Sequence, residues 1–265
     1  MRRPAAYWRF TSQALRLRSN SPSQALICGR TYYRPMSQAP TAPVLQITGL
    51  RKTVPGGRML FDGLALQLQP GEIVAIMGES GAGKSSLLNL VAGLDLPDAG
   101  AIAVRGQDLA KLDDDARTTL RRDHIGFVFQ AFHILPHLSL VQNVALPLVL
   151  AGQGGAPALA RAQAMLQELG LGGRGADYAA QLSGGELQRI AIARALVHQP
   201  ALILADEPTG NLDPETAARI LELFVRTVRK SAVAALIVTH SERAAAVADR
   251  VLVLTARGLL AHHGA

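Results

Sequence analysis

From Val44 onward the chain reads as short apolar segments cut by glycine and proline. Val44–Val54 alternates loosely and is rich in β-forming residues, Gly56-Gly57 supplies a hairpin turn, and a second strand follows near Leu64–Leu68. After the Pro70-Gly71 turn, Glu72-Ile73-Val74-Ala75-Ile76-Met77 is almost wholly apolar, as in a parallel strand buried on both faces. It runs into the glycine-rich Gly78-Glu79-Ser80-Gly81-Ala82-Gly83-Lys84-Ser85, and a helical pattern follows over Ser86–Ala92. Three further apolar runs end in polar residues: Ile125–Phe129 at Gln130, Ala201–Ala205 at Asp206-Glu207, and Leu236–Thr239 at His240. Leu182–Arg189 opens a helix whose apolar positions are Leu187, Ile190, Ala191, the stem of Arg194, Ala195 and Val197, with Ser183 as its N-cap. Short buried strands mixed with helices predict an α/β protein.

Charge changes this picture only at one end. Residues 1–35 hold seven arginines and no acidic residue, together with the only Trp, the only Cys and three of the four Tyr. The net charge of +7 therefore belongs to this tail, and residues 36–265 carry 20 basic and 20 acidic side chains. A balanced body lacks the clustered Lys and Arg of a nucleic-acid-binding domain, so no nucleic-acid partner is expected. The Arg-rich, acid-free tail reads as an organellar transit peptide, or as a disordered or mis-annotated extension upstream of a true start at Met36; the break in composition near Met36 favours the second. Residues 1–43 are thus set apart as extension and linker, and residues 44–265 as the folded domain. No uncharged apolar run reaches the length of a bilayer-spanning helix. A lone Cys28 excludes an internal disulfide or a cysteine metal cluster, which fits a reducing compartment.

The strand, glycine loop and helix at 72–92 are the context of a P-loop. Gly78, Gly81 and Gly83 let successive backbone N–H groups turn inward around phosphate oxygens, where a Cβ would obstruct them. The helix beginning near Ser85-Ser86 points the positive end of its dipole at the same anion. Lys84 would reach the β- and γ-phosphates and Ser85 would coordinate Mg²⁺. Asp206, ending a second strand, would hold the same metal, and Glu207 would polarise the attacking water. The paired Gly184-Gly185 behind Ser183 allow another close approach of backbone to an anion, as if to close on a nucleotide held by a partner's P-loop.

Gly78–Ser85, Leu182–Glu186 and Leu202–Glu207, in this order, resemble the Walker A, signature and Walker B motifs of an ABC-transporter ATP-binding subunit. The resemblance covers about residues 44–260. It implies a P-loop NTPase core, an N-terminal antiparallel β portion and an α-helical subdomain near 131–195. It also implies that Gln130 contacts Mg²⁺ and the attacking water, that Asn211-Leu212-Asp213 crosses to the partner subunit, and that His240 hydrogen-bonds the γ-phosphate. In this family two subunits pack head to tail, each ATP lying between one P-loop (Gly78–Ser86) and the other subunit's Ser183-Gly184-Gly185. The implied partners are a second copy across two composite sites and a separate integral membrane permease, with the chain peripheral on the cytoplasmic face of the inner membrane.

Gly93–Gly100, Gly126–Pro136 and Asp206–Asp213 are similar to the lipoprotein-release and macrolide-export group. Leu120–Gln130 and Gly78-Glu79-Ser80 look most like a predicted exporter subunit of that group. The apolar, Pro-punctuated segment at about 131–150 would meet the coupling helix of the permease, pack as a helical subdomain, or do both. One departure stands out. Where the family places an aromatic residue to stack on adenine, this chain has Val54, and weak discrimination of ATP from GTP is expected. An energy-coupling subunit for export or extraction is the leading reading; the alternative is a non-transport ABC ATPase acting as a mechanical signalling subunit.

Overall fold

The computed structural model describes residues 42–255 and 258–261, so the reading of the Arg-rich tail and the Met36 start lies outside the described residues. The described part opens with a hairpin, β1 (Leu45–Thr53) and β2 (Met59–Leu68), followed by β3 (Ile73–Met77) and α1 (Lys84–Val91). Next come β4 (Ala99–Val104), a short β5 (Gln107–Asp108), α2 (Asp114–His124) and β6 (Ile125–Phe129). Three helices follow, α3 (Leu140–Leu150), α4 (Ala156–Glu168) and α5 (Gly184–Leu196). The last part alternates β7 (Leu202–Asp206), α6 (Pro214–Lys230), β8 (Ala234–Thr239), α7 (Glu242–Ala245), β9 (Arg250–Thr255) and β10 (Gly258–Ala261).

Among the described residues the strands form two sheets. One is antiparallel, in the order β2-β1-β4-β5, and the other runs β10-β9-β3-β8-β7-β6 with every pair parallel except β10–β9. The unbroken apolar runs of β3, β7 and β8 follow from cover on both faces. Alternate residues point to two separate cores: Val74, Ile76, Leu202, Leu204, Leu236 and Val238 face α1 and the antiparallel sheet, while Ile73, Ile203, Ala205, Ala235 and Ile237 face the helices. A parallel sheet wrapped in this way presents its carboxyl edge as the natural ligand site.

Gly126, inside β6, lies beneath α5. A Cβ there would come within 2.2 Å of the Ala195 carbonyl oxygen and 2.6 Å of Ile203 Cδ1. Backbone cannot give way as a flexible side chain does. Gly126→Ala is expected to cost about 3 kcal/mol and to lower Tm by roughly 6–12 °C. An unchanged melting curve would show that α5 can lift off the sheet freely.

The helical packing expected of segment 131–150 is observed. Leu140, Val144, Ala145 and Leu148 of α3 are buried against α4 and α5, while Val149 and Leu150 stay exposed. α5 is buried further round than its apolar stripe indicated: Gln188, Ile192, Ala193 and Leu196 are enclosed as well.

Candidate functional site

The register of the central sheet assembles the site. Met77 pairs with Thr239, Val238 with Asp206, and Asp206 with Phe129. Four adjacent parallel strands therefore end almost level, and the next residues off their ends are Gly78, His240, Glu207 and Gln130. A cavity of about 610 Å³ opens above this edge, lined by Ser80, Gly81, Gly83, Lys84, Ser85 and Ser86 on one side and by Gln130, Asp206, Glu207 and His240 on the other. Residues separated by more than 150 positions in sequence thus share one space.

The glycine loop is held in an open curl. Gly81 (φ +80°) and Gly83 (φ +99°) take left-handed backbone conformations that side chains disfavour, and Gly83 sets the start of α1. A Cβ on Gly83 would also press on the Phe61 ring at 3.1 Å. Lys84 Nζ donates to the carbonyl oxygens of Gly78 and Glu79 at 2.7 and 3.0 Å, and Ala82 N–H donates to Glu79 O at 3.2 Å. Glu79 and Ala82 face the outer side of the loop beside Val253 and Leu254 and do not line the 610 Å³ cavity. A curl of amide groups at a helix start, with a lysine folded over it, suits a polyphosphate.

Glu207 is the most constrained side chain of the site. Its φ of +45° is strained for a residue with a Cβ, and its N–H donates to Val238 O at 2.9 Å. Thr239 Oγ1 donates to Oε2 at 2.8 Å, while the His240 N–H and Nδ1 lie 2.9 and 2.7 Å from Oε1. Thr239 is almost fully buried, and its hydroxyl also accepts from Ser241 N–H at 3.0 Å. The strand β8 therefore fixes both carboxylate oxygens of Glu207. Gln130 is tied reciprocally to Asn211: its Nε2 donates to Asn211 Oδ1 at 3.0 Å, and Asn211 Nδ2 donates to Gln130 O at 2.9 Å.

Ser183, Gly184, Gly185 and Asp213 do not line this cavity. Ser183 caps α5: Glu186 Oε2 accepts from both its N–H and its hydroxyl at 2.9 Å, and Arg174 Nη1 donates to Glu186 Oε1 at 2.7 Å. The Ser183 N–H, more than the nearby Arg174, keeps the Glu186 carboxyl below the usual range. Gly185 is required by packing, since its Cβ would sit 2.6 Å from Thr216 Cγ2 of α6. Asp213 caps α6, accepting from Thr216 N–H at 3.0 Å and Glu215 N–H at 3.2 Å, which lowers its pKa.

Two residues missed by the sequence reading shape the surroundings. Arg194, read there only as an apolar stem, donates to the Phe132 and His133 carbonyls at 2.7 and 2.6 Å, and burial lowers its pKa. It holds the left-handed pair Phe132 (φ +60°) and His133 (φ +49°) just after Gln130. Thr239 left no signal in the sequence beyond its place before His240.

The chain is similar to several known proteins. The family profile described as "ABC transporter" matches residues 61–210. The lipoprotein-releasing system ATP-binding protein LolD 2 of Caulobacter vibrioides is 47% identical over 215 residues, covering 80% of this chain and 94% of that protein. LolD 1 of Rhodospirillum rubrum is 50% identical over 195 residues, covering 74% and 86%. Two solved structures of the dimeric ATP-binding cassette MJ0796, one of them in a post-hydrolysis state bound to ADP and Pi, superpose with TM-scores of 0.73. They are 35% and 36% identical and cover 83% of this chain and all of theirs.

Proposed function

Because the chain belongs to the ABC transporter family, as an ATP-hydrolysing subunit of the lipoprotein-release type group, we propose that two copies close head to tail on two Mg²⁺–ATP complexes and drive a separate membrane permease. The observation that carries the reading is the row of strand ends, which brings Lys84, Glu207, Gln130 and His240 around one cavity.

The donor set fits the metal. Ser85, Gln130 and Asp206 line the cavity together, and Mg²⁺ favours a carboxylate, neutral oxygens and substrate phosphates over an all-protein cage. Among the described residues no cluster of His, Cys, Asp and Glu could hold a metal alone. When bound, Mg²⁺ would neutralise charge on the β- and γ-phosphate oxygens. Lys84 releases the Gly78 and Glu79 carbonyls and turns its ammonium to the same oxygens. Glu207 accepts a hydrogen bond from the attacking water and orients it in line with the γ-phosphate, while Thr239 keeps the carboxylate aimed. His240, now bonded to Glu207, is placed to turn toward the γ-phosphate. Ser183 and the start of α5 supply the second wall from the other subunit. The γ-phosphate is then the contact that separates closed from open states, and its loss reopens the pair.

The permease side rests on a groove of about 650 Å³ between the central sheet and α3. Leu94, Phe127, Leu146, Pro147 and Leu150 make it apolar, and Arg121 and Arg194 stand in its wall. Among the described residues no helix is long and apolar enough to cross a membrane, so the motion needs a partner that does. This supports a peripheral place at the inner face of the membrane, and the lipoprotein-releasing relatives favour an extruded or extracted lipid-modified cargo. Affinity purification from native membranes is expected to recover one integral membrane permease in stoichiometric amount. Recovery of none, with ATP or with ADP, would instead favour a mechanical signalling ATPase.

A further inference from the structure

We propose that Arg58 forms the platform for the purine ring of the bound nucleotide, and so sets how the site reads the base. The inference rests on the proposed placing of the triphosphate. With the γ-phosphate at Glu207 and the chain of phosphates along the glycine loop, the base must leave at the end of the cavity away from Glu207. Val54, Arg58 and Leu60 of the β1–β2 hairpin complete the wall of this cavity, with Arg58 beside Gly81 of the glycine loop.

The hairpin sets Val54 and Arg58 face to face. Val54 N–H donates to Arg58 O at 3.0 Å, and Gly57 N–H donates to Val54 O at 3.1 Å, closing a turn that Gly56 (φ +94°) and Gly57 (φ +80°) permit. Residues opposed across a hairpin project from the same face, with Cβ atoms about 5 Å apart. Arg58 therefore covers the ground that a side chain at position 54 would cover. Val54 is too small to form a stacking surface, and no Tyr or Trp occurs between Met36 and the glycine loop.

The guanidinium is uncommitted. Its one hydrogen bond is long, from Nη2 to Gly81 O at 3.4 Å, and among the described residues no carboxylate pairs with it. Arg51 of the same hairpin, by contrast, is bound to Asp62 at 2.8 Å. A solvated arginine with no salt bridge among the described residues stands here beside an apolar wall and at the mouth of an anion cradle. Its plane can stack on a purine. Stacking on a planar cation depends little on which purine is present, so ATP and GTP should bind within a few-fold of each other.

Equilibrium binding of ATP, GTP and inorganic tripolyphosphate tests this. Arg58→Ala is expected to weaken ATP and GTP about five- to tenfold and to leave tripolyphosphate unchanged. Arg58→Lys should behave like Arg58→Ala, because an ammonium has no plane, and Arg58→Trp should restore ATP affinity. Equal losses for ATP and tripolyphosphate would make Arg58 a phosphate contact and overturn the proposal. So would wild-type affinity in Arg58→Ala, or a strong preference of the wild-type chain for ATP over GTP. Failure of the wild-type chain to bind both ATP and tripolyphosphate would instead remove the underlying reading of the glycine loop.

Discussion

Glu207→Gln is expected to bind ATP normally, to hydrolyse it about 10²–10³-fold more slowly, and to accumulate as an ATP-held dimer. The amide keeps the size of the carboxylate and can still accept from the His240 N–H, so the strained backbone at residue 207 retains its support. What is lost is the full negative charge that holds the attacking water and takes up its proton. Because the γ-phosphate is then never removed, the contact that favours the closed pair persists. Single-turnover hydrolysis and size-exclusion chromatography with Mg²⁺–ATP read the two effects separately. Hydrolysis at the wild-type rate would mean that another group activates water. Slow hydrolysis without a dimer would mean that closure depends on something other than the γ-phosphate.

Lys84→Ala should act one step earlier. The ammonium now bridges the Gly78 and Glu79 carbonyls, so removing it costs the loop two hydrogen bonds that water can replace, and the fold should tolerate the change. Against a triphosphate the same ammonium makes a charge-assisted contact, and truncating such a contact costs about 2 kcal/mol or more, or at least a thirtyfold loss of ATP affinity. ADP should suffer less, since it lacks one of the two phosphates within reach. The double variant Lys84→Ala/Glu207→Gln should stay monomeric at ATP concentrations that trap Glu207→Gln alone. Calorimetric titration with ATP and ADP measures the difference. Equal affinity in Lys84→Ala and wild type would place the nucleotide elsewhere.

The parts legible in the sequence are those where local pattern and tertiary role coincide. Ile73–Met77, Leu202–Ala205 and Leu236–Thr239 are continuous apolar runs because both faces are covered, so pattern alone identifies them as buried strands. Gly81 and Gly83 are legible because their left-handed backbone favours a residue without a Cβ. Other features depend on distant residues. α2 buries only Leu120 among charged neighbours, so it has little apolar stripe to detect. The clamp of Arg194 on Phe132 and His133 joins segments more than 60 residues apart, and its polar end looks solvated in one dimension. Gly185 reads as an anion-facing glycine, and the close approach of Thr216, invisible in the sequence, also leaves no room for a Cβ there. The hydroxyl of Thr239 is visible only once β8 lies beside β7.

The level strand ends make the central sheet a ruler. Gly78, His240, Glu207 and Gln130 stand on neighbouring strands, and three inter-strand steps of about 4.8 Å set the whole site at about 14 Å across. That spacing is fixed by backbone hydrogen bonds and is the same whatever the side chains are. Loops above the edge can lengthen or diverge without changing it. The chemistry of the site can accordingly be altered by exchanging what stands at a graduation, and hardly at all by moving one.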